Sequence, residues 1–438
     1  MGFLSHLHID RRLRADFGWI LSGNVIYSAC QWGIILLLAK LGNAQQVGMY
    51  ALGMAICAPI VLFANLQLRT LIASDVRDEF RFGNYLVFRL VSLGIAFLLV
   101  IAAACWSAPD AVRRKVIILV GFAQVLEYVS DLYYGLMQRC DRMDRVSRSL
   151  IVKGPFSLGA LCVAMYFTRD VFWAVAALAF GRLCVLLAWD VRLGYARTAM
   201  HGLSARLEWS RSAMVRLWIL SFPLGIISML AALTGNIPRY FIEARLGTTD
   251  LGIYSAIASL LSAGTLFISA FGQSIMVPAA RACASGDRGR FRAFVLQTAA
   301  VGALPGLGAV LAAAFCGRFV LAKLFRPEYR NHVDVFVWLM IAGTALFVTN
   351  GLGFVMTAAR VLAPQIPLLL SNCGTAALAS AVWVPKYGLR GAASAVLAAA
   401  LVQFIGCLWI LWKIDQKLGS ARLPMAMPEP AYQGAESG

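Results

Sequence analysis

Hydrophobic residues in this chain come in runs rather than in stripes. Apolar stretches of about 20 residues, the length of helix that crosses a roughly 30 Å hydrocarbon layer, alternate with short polar connections. About twelve such runs can be drawn, near Phe17–Ala39, Val47–Leu66, Tyr85–Trp106, Val116–Met137, Leu150–Thr168, Val171–Leu193, Leu217–Phe241, Leu251–Met276, Phe294–Cys316, Val335–Thr357, Ile366–Val384 and Gly391–Trp412. They are too long and too uniformly apolar for the alternating strands of a membrane barrel. A segment in lipid must also satisfy its backbone hydrogen bonds internally, so each run predicts a helix. The fold class that follows is all-α and polytopic, with about twelve transmembrane helices.

One local pattern occurs twice. Leu41-Gly42, followed by Val47-Gly48-Met49-Tyr50, returns about 205 positions later as Leu246-Gly247, followed by Leu251-Gly252-Ile253-Tyr254. About six spans separate the copies, an even number, so both cross the membrane in the same direction. That predicts two parallel halves related by an axis along the membrane normal, with a substrate site between them. Gly42 and Gly247 are expected to supply permissive backbone dihedrals at the ends of the first and seventh helices. The resulting division is a cytoplasmic N-terminus (1–16), an N-terminal six-helix bundle (17–194), a cytoplasmic linker (195–216), a C-terminal six-helix bundle (217–413) and a disordered cytoplasmic tail (414–438).

Composition narrows the class. Of 438 residues, 60% are hydrophobic and only 14% charged, and the mean hydropathy is +0.75. The net charge of +18 points to anionic lipid headgroups rather than to nucleic acid once twelve spans are in place. Roughly 23 of the 39 basic residues fall on the side that carries the N-terminus, which makes both termini cytoplasmic. The strongest markers are Arg11, Arg12 and Arg14, then Arg139, Arg142, Arg145 and Arg148, then Arg192, Arg197, Arg206 and Arg211; Arg113, Arg114, Lys115, Lys323, Arg326 and Arg330 are exceptions. The first run is long and lacks a small-x-small cleavage site, so it is read as a retained helix rather than a secretory signal.

No enzyme chemistry is legible. The ten cysteines are scattered without a C-x-x-C pair and behave as small apolar fillers, and two of the four histidines (His6, His8) lie at the N-terminus, so no metal site or cofactor is expected. Neither a phosphate-binding G-x-x-x-x-G-K-[ST] loop nor a G-x-S-x-G nucleophile motif is present. The chemistry to look for is carriage.

Polar groups within the spans are therefore the candidate machinery, since each is costly in hydrocarbon and normally faces a bundle interior or water. The first half contains Asn24, Gln31, Asn65, Arg89, Glu127, Asp131, Lys153 and Arg182; the second contains Asn236, Arg239, Glu243, Gln273, Asn350, Asn372 and Gln403. Arg89, Lys153, Arg182, Arg239, Asn24, Gln273 and Asn350 are candidates for lining a substrate cavity, and Glu127, Asp131 and Glu243 for ion coupling. Glu127 and Asp131, four apart, share a helix face and could take a proton or cation, or could neutralise Arg89, Lys153 or Arg182 as structural pairs. Arg239 presents a fork suited to oxyanions, or else pairs locally with Glu243 one turn on. Lys153, just before Gly154-Pro155, could sit at a helix break or snorkel to headgroups. Pro223 and Pro305 predict kinks, and Trp19, Trp106, Trp218, Trp409 and Trp412 predict interfacial anchors.

Three segments resemble a known family. Asn236-Ile237-Pro238-Arg239-Tyr240-Phe241-Ile242-Glu243, leading into Leu246-Gly247 and Leu251-Gly252-Ile253-Tyr254, is similar to the seventh-to-eighth helix segment of Wzx-type polysaccharide biosynthesis flippases of the multidrug/oligosaccharidyl-lipid/polysaccharide (MOP) exporter superfamily. Gly135-Leu136-Met137-Gln138-Arg139, with Arg142-Met143-Asp144 and Lys153-Gly154, resembles that family's loop after the fourth helix, and Pro385-Lys386-Tyr387-Gly388-Leu389-Arg390-Gly391-Ala392-Ala393 its entry into the last helix. The resemblance implies two six-helix bundles around a central cavity in the cell's inner, cytoplasmic membrane, moving a polyprenyl-diphosphate-linked glycan between leaflets by alternating access, with membrane lipids and polysaccharide polymerase and export proteins as partners. A multidrug exporter of the same superfamily is the nearest alternative; cationic drugs favour an acidic cavity, and the first helix carries no carboxylate. A membrane polysaccharide polymerase or ligase would be expected to show a large external loop, whereas the longest loop here, near Val191 to Val215, falls on the cytoplasmic side. The two halves also differ in charge: Lys40 stands where Arg245 stands, but Ile34 and Leu38 occupy the places of Arg239 and Glu243.

Overall fold

Each apolar run becomes a helix. The computed structural model describes residues 11–75, 79–108, 110–140, 142–193, 208–359, 361 and 364–419; positions 1–10, most of the expected linker and most of the expected tail lie outside them. In chain order the spans are α1 (Arg11–Leu41), α2 (Ala44–Asn65, with a short continuation Leu68–Ser74), α3 (Phe82–Ser107), α4 (Ala111–Arg139), α5 (Met143–Thr168) and α6 (Val171–Val191). The second half adds α7 (Arg211–Arg245), α8 (Thr248–Ala284), α9 (Arg288–Leu324) and α10 (Val333–Ala358). The final helical run, Gln365–Gly419, is broken at Gly388, whose φ of 58° and ψ of −135° no helix contains. Asn372 on one side of the break bonds Gln403 on the other, so the run is a hairpin of two legs, α11 (365–387) and α12 (389–419). No strand occurs among the described residues. The chain is a multi-pass, all-α membrane protein of two six-helix bundles.

The helices exceed the apolar runs that mark them. α9 has 37 residues, about 55 Å at 1.5 Å per residue, well beyond a roughly 30 Å hydrocarbon layer. Hydropathy reports where lipid begins, whereas a helix ends where its backbone is capped. Asn43 caps α2 reciprocally with Gln46, and Asp110, Asp170 and Asp287 accept from the first amides of α4, α6 and α9. Neither Pro155 in α5 nor Pro223 and Pro238 in α7 ends its helix.

The doubled motif lies where the halves meet. A Cβ at Gly48 would stand 1.8 Å from the carbonyl oxygen of Thr248, and one at Gly252 would stand 1.8 Å from that of Ala44. The two contacts are images of each other under the repeat: α2 and α8 cross backbone to backbone, as small residues permit in a membrane where apolar burial cannot drive association. The preceding glycines are not equivalent. Gly247 has φ 95° and needs glycine for its dihedral, whereas Gly42 is not in the left-handed region. At Gly42 the requirement is space, since a Cβ would lie 2.4 Å from Gln46 Oε1 and 2.7 Å from the Leu38 carbonyl oxygen.

A second seam joins α2 to α7. A Cβ on Gly225 would lie 2.9 Å from the Phe63 carbonyl oxygen, Phe63 meets Trp218 and Phe222 edge-on, and Gln67 donates to Ser228 at 3.0 Å. Here α2 breaks: Leu66 and Gln67 both adopt left-handed dihedrals (φ 49° and 50°), which cost a side chain with a Cβ about 1–2 kcal/mol each. The break strands helix-end carbonyls, and Arg89 Nη1 donates to that of Asn65 at 3.0 Å while Ser92 Oγ donates to that of Ala64 at 3.0 Å. Fully buried Arg89 thus caps the C-terminal, negative end of the main α2 segment.

Candidate functional site

Between the halves lies a cleft of about 480 Å³, walled chiefly by α1 (Ser28, Gln31, Trp32) and α8, with Tyr50 and Met54 of α2 and Arg239 of α7. On α8, Ser255, Ser259, Ser262, Thr265 and Ser269 recur every three or four residues, so their hydroxyls share one face. On the same helix, Phe347 packs against Gly264 and Phe354 against Gly272. None of the described residues lining the cleft is acidic.

Arg239 is its one cation. Nη1 donates to Asn236 Oδ1 at 2.8 Å, and Nε is buried without a partner. Glu243, one turn on, faces elsewhere: it accepts from Arg113 at 2.6 Å and from Thr248 Oγ1 at 2.9 Å. The local Arg239–Glu243 pair is not formed, because Glu243 is spent tying the end of α7 to the start of α4.

A second cavity, about 300 Å³, lies within the C-terminal half and shares Arg239 and Leu261 with the cleft. Its polar lining comprises Thr234, Tyr254, Asn350, Asn372 and Gln403 besides Arg239. Asn372 Nδ2 donates to Gln403 Oε1 at 2.9 Å, but Asn372 Oδ1 is buried and unpartnered.

The N-terminal half is filled at the corresponding depth. Lys153 and Asp190, each 0% exposed, pair at 3.2 Å. Lys153 also donates to Tyr134 Oη at 2.6 Å, and Tyr134 and Asp190 both bond Ser149. Glu127 lies 3.9 Å from Lys153 and 3.6 Å from Arg182; Arg182 donates to the Ala123 carbonyl at 3.0 Å and to Gln31 Oε1 at 3.2 Å, and Gln31 donates to Tyr27 Oη. The charges lie on α4, α5 and α6, and Gln31 of α1, bonded to Arg182, connects them to the cleft. Beside the charges remains a space of about 10 Å³.

The sequence candidates therefore scatter among distinct places. Arg239 stands in the cleft wall and Asn350 in the C-terminal cavity; Lys153, Arg182 and Glu127 form the buried chain. Lys153 neither breaks α5 nor snorkels, because Asp190 and Tyr134 hold it inside. Asp131 turns instead to Arg69 at 3.2 Å, and Arg89 bonds the α2 break through Nη1, with Nε and Nη2 buried and unpartnered. Asn24 and Gln273 are exposed and are not among the cleft-lining residues. Sequence reasoning missed Asp190, Arg113 and the α8 hydroxyl stripe. An aspartate within the apolar run Leu186-Leu187-Ala188-Trp189-Asp190 was signal enough, and α6 widens into an i→i+5 turn over Leu186–Val191 around it. Such turns concentrate at functional positions.

A family described as "Polysaccharide biosynthesis protein" matches residues 13–281, more than half of the chain. A capsular polysaccharide biosynthesis protein, CapF, of Staphylococcus aureus is 23% identical over 403 residues, covering 91% of this chain and 99% of that one. Among solved structures, an inward-facing multidrug resistance MATE family transporter of the MOP superfamily superposes with TM-score 0.71 at 11% identity, over 91% of this chain and 96% of its own. An outward-facing MATE family transporter gives 0.60 at 12% identity, over 92% and 95%. The lipid II flippase MurJ, inward closed, gives 0.69 at 8% identity, over 91% and 89%. At these identities the structural matches establish the fold.

Proposed function

The chain belongs to the polysaccharide biosynthesis protein family, and we propose that it flips a lipid-linked oligosaccharide precursor across the cytoplasmic membrane by alternating access. Membership of that family, with a fold shared with MOP-superfamily transporters, supports transport as the class of activity; the finer reading rests on the cleft. The observation that carries it is Arg239, a cation without a carboxylate partner among the described residues, set in a cleft with no acidic lining residue. An unmatched guanidinium is suited to a diphosphate or an acidic sugar, and the hydroxyl face of α8 to a glycan. A cationic drug would meet the wrong charge there, which disfavours an exporter of such compounds. The greater similarity to the inward-facing MATE structure agrees with a cleft that loads from the cytoplasmic side.

Coupling to an ion gradient would fall to the buried chain Asp190–Lys153–Glu127–Arg182. Gln31 joins that chain to the cleft, so a change of protonation or ion occupancy there can bias the position of α1. The flipped precursor would pass to polymerase and export proteins outside. In cells lacking this chain and any second flippase, lipid-linked oligosaccharide should accumulate on the cytoplasmic leaflet and surface polysaccharide should disappear. Unchanged surface polysaccharide in that strain overturns the proposal.

A further inference from the structure

The cavity inside the C-terminal half has no role in a simple two-sided cleft, and its chemistry is selective. Among the described residues its polar lining offers one guanidinium, three carboxamides and two hydroxyls, with no carboxylate. Two of these groups are buried and incomplete: Arg239 Nε–H has no acceptor, and Asn372, 1% exposed, has no donor for Oδ1. A buried polar group without a partner is costly, so a cavity that keeps two of them is suited to a ligand that supplies an acceptor for one and a donor for the other. A metal or organic cation supplies no acceptor for Arg239 and is repelled by it. An apolar group satisfies neither.

We propose that this chamber is a second binding site, taking one carboxylate-bearing, hydroxyl-rich sugar residue, a hexuronate, of the transported glycan. This rests on the reading that the cargo is a glycan. The carboxylate would accept from Arg239, while ring hydroxyls, which both donate and accept, match Asn350, Asn372 and Gln403. At about 300 Å³ the chamber is at the small end of ligand pockets and suits one sugar residue rather than a repeat unit. Entry is from the cleft: Arg239 and Leu261 line both spaces and form the partition, beside the irregular turn where α8 passes Ser259 and Leu260. The chamber then reads the acidity of one sugar while the cleft holds the rest of the headgroup.

The test uses the full chain in lipid nanodiscs and isothermal titration with a galacturonate trisaccharide, its neutral methyl ester and sodium chloride. The acid should bind at least tenfold more tightly than the ester. Asn350→Asp, which sets a carboxylate in the chamber at an exposed position of α10, should weaken acid binding at least tenfold, and so should Asn372→Asp. Gln273→Leu, at an exposed position of α8 outside both spaces, should change it less than threefold. Equal binding of acid and ester, displacement of the acid by equimolar chloride, or acid binding unaffected by Asn350→Asp each overturns the chamber assignment. Flipping of a lipid-linked neutral glycan by the same protein in vesicles would show separately that the transport reading stands when the chamber reading fails.

Discussion

The two halves share a backbone plan and treat their polar interiors in opposite ways. In the N-terminal half, most deep charges are matched among themselves: Lys153 with Asp190, Glu127 with Lys153 and Arg182, Asp131 with Arg69, with almost no space left over; Arg89, which bonds the α2 break, keeps Nε and Nη2 without partners. In the C-terminal half, one arginine and a set of amides surround a cavity and leave bonds unmade. A close-packed network of paired charges holds a shape or switches between two, whereas unpaired polar groups around a cavity leave room for a ligand. The two copies share a frame and differ in what fills them, and the proposed division between coupling and cargo follows that difference.

That contrast can be broken experimentally. The largest effect should be common to both halves. Gly48→Leu and Gly252→Leu each drive a side chain into the facing carbonyl, and both should remove nearly all monodisperse protein in size-exclusion chromatography; tolerance at either position would deny the symmetric crossing. Next, the filled half should be sensitive where the open half is not. Lys153→Met or Asp190→Leu alone strands a buried charge and should cost about 3–5 kcal/mol, with most of it recovered in the double variant. Asn372→Leu gives up only one neutral hydrogen bond, from Nδ2 to Gln403, and should cost about 1 kcal/mol. Thermal unfolding in detergent measures all four, and equal losses in the two halves would erase the contrast.

Arg239→Ala should leave membrane insertion and thermal stability near wild type while lowering export at least tenfold, about 1.4 kcal/mol, with Arg239→Lys between the two. Wild-type export by Arg239→Ala would remove that residue from the site. The smallest effect belongs to the pair Arg113–Glu243, partly exposed on both sides: Arg113→Gln should cost about 1 kcal/mol or less. Loss of folding there would mean that the α4–α7 tie has been undervalued.

How much of this was legible depended on range. Helices in lipid leave no choice of secondary structure, so apolar runs gave the spans to within their polar ends, and the spacing of Gly48 and Gly252 gave the doubled frame before any contact was known. Which intramembrane charge meets which was not legible, because partners lie on different helices. The four-residue spacing of Arg239 and Glu243 suggested a pair, yet Arg113, distant in sequence, takes the carboxylate. Arg89 looked like a cavity residue because nothing in the sequence marks the left-handed break at Leu66 and Gln67 that it caps. Asp190 was within reach, and was passed over beside the more conspicuous pair Glu127 and Asp131.

The central claim is that this chain moves a lipid-linked glycan between leaflets, and the most direct measurement is leaflet exposure in reconstituted vesicles. Purified protein is placed in liposomes that carry a fluorescent polyprenyl-diphosphate oligosaccharide in both leaflets, and a membrane-impermeant glycosidase is added outside. Without protein, only the outer pool, about half for evenly loaded leaflets, can be cleaved; with protein, under an imposed ion gradient, cleavage should run nearly to completion within minutes, and Arg239→Ala should slow it at least tenfold. A plateau that stays at the outer pool with active, correctly folded protein would contradict the account.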